Sequence, residues 1–259
     1  MSAAPPHPPE AHGAYAELVR ELEHAARLHG ERLADPPLAS ALERLSAWQA
    51  RRLRATYADL EALERYTAAI DFFETDLYGG ADFAQRDTDL ARVVSVMARM
   101  LPEAVIATIG EAMELNTLSQ ELDRALLAAL PRHDGRLTVA EYCDAYRRMG
   151  NRPARERQIE LIGEIGHALD GLVRKPFIRG ALAMMRQPAR LAGLGVLHDF
   201  LERGFAAFHR MHGAEEFLAT IGARETALLN AIFDGATAPF ADPLAGTGQP
   251  SAGDRAGAR

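Results

Sequence analysis

The chain has 259 residues, with 29 Lys plus Arg against 36 Asp plus Glu, and its formal charge of −7 argues against a general nucleic-acid binder. A hydrophobic share of 48% with 25% charged residues excludes disorder along the whole chain. Cys143 is the single cysteine, which excludes an internal disulfide and a thiolate metal cluster and points to a reducing, cytoplasmic setting.

Residues 1–13 carry Pro5, Pro6, Pro8 and Pro9 and few apolar side chains, so they read as a flexible N-terminal arm without a secretory signal. No apolar run reaches membrane-spanning length, so no membrane span is expected. A first helix is predicted from about Ala14 to His29, with Gly30 as its stop. Ser40 with Glu43 fits a capping box, although Pro36 or Pro37 equally suits the first turn of a helix begun at Asp35. Leu42, Leu45, Leu53, Leu60, Leu63, Ile70 and Leu77 then predict one long amphipathic helix to about Tyr78, on the order of 55 Å, with room for a kink or break. Gly79-Gly80 ends it, and helices follow over about Asp87 to Met100 and Glu103 to Leu130. Thr138 and Glu141 form a capping box for a helix stopping near Gly150-Asn151, and Arg152-Pro153 opens the next. The last helices are predicted over Phe177 to Arg186, Gly195 to His212 and Ala214 to Phe233, and residues 235–259 read as a flexible C-terminal tail. Strand-like alternation is missing, so the fold class is all-α: an irregular multi-helix bundle, with a single domain over residues 14–234.

The segment Phe72-Phe73-Glu74-Thr75-Asp76-Leu77-Tyr78 resembles the signature of the bacterial FFLEELY-motif proteins. Phe72, Phe73, Leu77 and Tyr78 match directly, Asp76 retains acidity, and Glu74 and Thr75 depart from the pattern. Asp82-Phe83, Arg86-Asp87, Leu101-Pro102, Glu114-Leu115, Leu122-Asp123 and Met185 to Ala189 extend the likeness. The resemblance implies a family and carries over no catalytic residue.

Polar side chains interrupt two apolar faces. On a helical wheel with Val105 at zero, Asn116 and Asp123 fall at roughly 20° and 0°, within the arc of Ile109, Ala112, Leu126 and Leu127, and Gln120 falls at roughly 60°, at its edge. Glu74 enters the stripe of the preceding long helix in the same way. An isolated Asp123 anion in a dry core carries a large desolvation cost, so it needs a donor, water or a changed protonation state. Two readings follow. In one, Glu74, Tyr78, Arg86, Asn116, Gln120 and Asp123 line a polar pocket between helices; in the other, they form a satisfied network that fixes helix register.

The remaining motifs point to structure. Glu21 with His24 and Glu164 with His167 have a Glu-x-x-His spacing but no converging acids, so no metal is predicted. Aligning Gly135 with the turn glycine of a calcium loop puts Leu130 and Arg132 at ligand positions, which favours a plain turn instead. Cys143, between Tyr142 and Tyr146, reads as a packing thiol. Ser119, Asp123 and a histidine make only a nominal trio without a nucleophile elbow, and Gly193-Leu194-Gly195 marks a turn. Arg20, Arg51, Arg52, Arg54, Arg147, Arg148, Arg152, Arg155 and Arg157 read as solvated basic faces, with an RNA-binding subset as the alternative although no recognition module is visible.

Leu197, Leu201, Phe208 and Met211 face Phe217, Ile221, Leu228 and Ile232 across the last two helices, with Leu229 and Phe233 offered as exposed positions for a second chain. The expected function is a cytoplasmic helical interaction or regulatory protein with a protein partner or homo-oligomer and no cofactor. The alternative is a small-molecule-binding protein or enzyme with an interhelical polar pocket around Glu74 and Asp123.

Overall fold

A computed structural model describes residues 11–73, 75, 83–131 and 136–245. These form α1 (Ala11–Ala34), α2 (Pro36–Thr56), α3 (Ala58–Glu61), α4 (Glu64–Phe72), α5 (Phe83–Met100) and α6 (Glu103–Ala129). They continue with α7 (Val139–Met149), α8 (Arg152–Val173), α9 (Pro176–Leu191), α10 (Gly195–Arg210) and α11 (Glu215–Phe233). The described residues contain no strand, and none of their helices is long and apolar enough to cross a membrane.

Local chemistry sets most boundaries. Asp35 caps α2 by accepting the Leu38 N–H at 3.0 Å, with Pro36 and Pro37 in the first turn, so the helix begins before Ser40. Thr138 and Glu141 make the expected reciprocal cap of α7, and Gly150 ends that helix at φ 67°. Gly30 does not stop α1, which continues to Ala34, because an isolated glycine weakens a helix without terminating it.

The single long helix expected over residues 42–78 is three helices up to Phe72. Tyr57 (φ −113°, ψ 18°) and extended Leu63 (φ −91°, ψ 114°) break it. In one straight helix Tyr57 and Tyr66 would sit roughly 180° apart. The breaks bring both into one core, where they are 3% and 1% exposed. Residues 76–80 lie outside the described residues.

Three apolar clusters hold the helices together. One joins Tyr66, Ile70, Val173, Phe208, Phe217 and Ile221 from α4, α8, α10 and α11. A second joins Leu45, Trp48, Leu126, Tyr142, Cys143 and Ile232 from α2, α6, α7 and α11. The third joins Leu18, Leu22, Leu90, Ile106 and Met113 from α1, α5 and α6. Gly204 on α10 admits the Phe72 ring, whose Cζ would lie 3.0 Å from an added Cβ. Helix α6 packs against α1, α2, α5, α7 and α8, so it is apolar on several sides.

Two expectations need correction. Leu229 is buried and Phe233 packs against the second cluster, so neither is a free docking position. Phe240 and Leu244 pack against the same cluster, so the chain beyond residue 235 does not leave the core there. Residues 246–259 lie outside the described residues. Exposed apolar surface appears instead on α9, at Phe177, Met184 and Leu191.

Candidate functional site

A cavity of about 110 Å³ lies at the seam between the first two clusters, where α2, α6, α7, α8 and α11 converge. Ile70, Phe73, Ile162 and Ile221 supply apolar wall, and Phe240 adds an aromatic side from beyond α11. Into this space the same helices direct a dense set of polar groups, an arrangement common to binding pockets.

One half of that set is neutralised. Arg52 donates to the two oxygens of Glu225 at 2.6 and 3.2 Å, and the Tyr57 hydroxyl donates to Glu225 at 2.8 Å. Burial alone would raise the Glu225 pKa, but the Arg52 charge and these donors, helped by Arg155, hold it below the usual value.

The other half is not. Asp123 accepts one hydrogen bond, from Gln49 Nε2 at 3.0 Å, and lines the cavity. Burial raises its pKa above the usual carboxylate value, against the opposing attraction of Arg155 and the Gln49 bond. Arg155 is only 5% exposed. Its Nη1 donates to Gln158 Oε1 at 3.0 Å, and Gln158 in turn donates to Ser119 Oγ at 2.8 Å. The guanidinium carbon lies 4.6 Å from the Tyr146 ring centroid, a cation–π contact. Nε and Nη2 of Arg155 are buried with no acceptor. Burial also raises the Tyr142 and Tyr146 hydroxyls, so both remain protonated donors near neutral pH.

The sign of the Asp123 shift gives a test. A carboxyl raised in the folded state relative to its ordinary 3.8 favours folding below that value and opposes it progressively as pH rises through the folded pKa. Asp123→Asn is therefore expected to gain stability relative to the wild type between pH 4 and pH 8, read by urea unfolding at each pH. A difference that stays flat or moves the other way refutes the assignment.

The six residues expected to share a pocket do not stay together. Asp123 reaches the cavity. Arg86 pairs with Asp87 at 2.9 Å, Asn116 donates to Asp87 at 3.0 Å, and Gln120 donates to Asn116 at 3.4 Å, so these form a polar chain between α5 and α6. Glu74 and Tyr78 lie outside the described residues.

Arg52, Arg155 and Glu225 were not expected here, and the two arginines belong to the core rather than to solvated faces. A signal for them exists. Arg155 shares a helical stripe with Ile159 and Ile162, and Glu225 shares one with Ile221, Leu228 and Ile232.

The motifs set aside earlier have local partners. His24 Nε2 lies 3.0 Å from Glu121, and His167 Nδ1 lies 2.7 Å from the Gly163 carbonyl oxygen. Cys143 is fully buried, and burial raises its thiol to about 11, so it is a protonated packing group. Gly135 of the calcium-loop alignment lies outside the described residues. A further cluster on α10, His198, Asp199 and Glu202, brings its ligand atoms within 4.8 Å of one another. Its carboxylates already face Arg190 and Arg186.

No curated protein and no solved structure matches the chain. A family model does match, over residues 28–239, a span that contains every cavity-lining residue named above except Phe240. On that match the chain belongs to the family described as Domain of unknown function (DUF8198).

Proposed function

We propose that the protein is a small-molecule-binding protein whose site is the cavity lined by Asp123, Arg155 and Glu225. The observation that carries this reading is Arg155, a buried side chain of the cavity wall whose Nε and Nη2 groups meet no acceptor. A network serving only helix register would close such donors, because a buried charged donor left unmade costs more than the bond returns. Asp123 and Arg155 feel each other's charge without a hydrogen bond between them. The exposed apolar side chains of α9 support the rival reading of an interaction or regulatory protein. The cavity is preferred because it combines shape, charge and apolar wall. The FFLEELY-like segment supports a kinship with the FFLEELY-motif proteins, and the single cysteine supports a reducing, cytoplasmic setting.

The test is a screen of fragment-sized molecules against the tag-free full chain by ligand-observed NMR, beside native mass spectrometry before dialysis. Fragments should bind, compete with one another and be displaced from a folded Ile162→Trp variant, whose indole fills the cavity. A screen without competing hits, or hits indifferent to Ile162→Trp, refutes the site.

A further inference from the structure

Arg155 shows what the cavity selects. An arginine offers its donors in a rigid fork, and the edge formed by Nε and Nη2 presents two parallel N–H groups at the spacing of a carboxylate. This chain uses that edge repeatedly. Arg157 donates through Nε and Nη2 to the two oxygens of Glu114 at 3.0 and 3.1 Å, and Arg54 does so to those of Glu61 at 3.3 and 2.8 Å. Arg186 binds Glu202 in the same manner, with contacts from 2.8 to 3.2 Å. In Arg155 the far nitrogen is held by Gln158 and the flat face lies against Tyr146, while the paired edge is the part without an acceptor.

We infer that the cavity takes a small monocarboxylate, its two oxygens received by the Nε/Nη2 edge of Arg155 and its apolar body packed against Ile70, Ile162 and Ile221. This rests on the cavity being a ligand site. Arg155 belongs to the cavity wall and its Nε/Nη2 edge is buried beside it, so a carboxylate there reaches the edge once the side chain adjusts locally.

Charge argues for one negative unit. Arg52 is already paired with Glu225, whereas among the described residues no carboxylate is hydrogen-bonded to the Nε/Nη2 edge of Arg155. A phosphate would bring a second charge toward Asp123 and Glu225, which line the same space. Size argues in the same direction. The space of about 110 Å³ is comparable to cavities of roughly 150 Å³ that hold a benzene ring. A benzoate or a short aliphatic acid fits that scale, whereas a nucleotide does not.

The protein carries its own reporter. Trp48 is the sole tryptophan, and its ring stacks 4.6 Å from that of Tyr142, a cavity wall. Titration of the full chain at pH 7, read by Trp48 fluorescence and by calorimetry, would use benzoate and hexanoate beside benzamide, hexanamide and inorganic phosphate. The acids should bind at least about tenfold tighter than their amides. Arg155→Lys, which keeps the charge but loses the fork, should lose at least about tenfold for the acids and clearly less for the amides, narrowing the gap between them. Acids and amides binding alike would overturn the carboxylate assignment while leaving the cavity as a site, and so would phosphate binding more tightly than benzoate. If no probe binds the wild type, the ligand-site reading itself falls. Should Arg155→Lys fail to fold, the wild-type acid and amide pairs decide the matter alone.

Discussion

Glu225→Gln should lower the unfolding free energy by about 3–5 kcal/mol, among the largest losses available to a single change in this chain. The substitution keeps the shape of the side chain and removes its charge. Arg52, whose side chain is 12% exposed, is then left as a buried cation with a weakened partner, and the Tyr57 hydroxyl loses a charged acceptor. For a protein of this size the loss corresponds to a fall of roughly 10 °C in midpoint temperature. Urea unfolding followed by far-ultraviolet circular dichroism measures it. The double variant Arg52→Met with Glu225→Leu should recover most of the deficit, because removing both charges also removes the uncompensated one. A loss under about 1 kcal/mol for the single variant would show that the pair is solvated and not a buried strut.

Trp48→Ala should cost a similar amount, about 3–5 kcal/mol, through a different cause. Trp48 is 2% exposed, stacks on Tyr142, meets the edge of Phe240 at 6.1 Å and donates its indole N–H to the Leu137 carbonyl at 3.1 Å. Truncation removes these contacts together and leaves a void beside the cavity, which the surrounding helices can close only in part. Trp48→Phe should lose much less, since the ring contacts survive and only the hydrogen bond and some volume are gone. Circular dichroism is the suitable readout, as the fluorophore is removed. A loss under about 1.5 kcal/mol for the alanine variant would mean that the second cluster repacks freely.

Much of the helical order was legible in the sequence because caps and breakers act locally. Thr138 with Glu141, Asp35 with its two prolines, Pro176 and Gly213 mark boundaries through chemistry confined to a few residues. The break at Tyr57 was not legible, since it depends on burial of Tyr57 and Tyr66 together and on a glutamate 168 residues away. The site was half legible. Asp123 announced itself as an acid in an apolar arc, but a wheel assigns one inner face, and α6 meets helices on several sides. Asn116 and Gln120 therefore turn toward Asp87 while Asp123 turns toward Gln49. Arg155 was hidden by the ordinary expectation that basic residues are solvated, although its stripe with Ile159 and Ile162 points inward.

The cavity wall draws on residues from Gln49 near one end of the chain to Phe240 near the other. On the proposed reading, a site assembled from such distant pieces exists only after those segments have packed together, so a half-made chain or a partly unfolded one has no affinity to offer. Occupancy would then pull the equilibrium toward the complete fold by mass action, raising global unfolding free energy with the logarithm of ligand concentration. Resistance to proteolysis in a crowded cell would track the supply of that ligand.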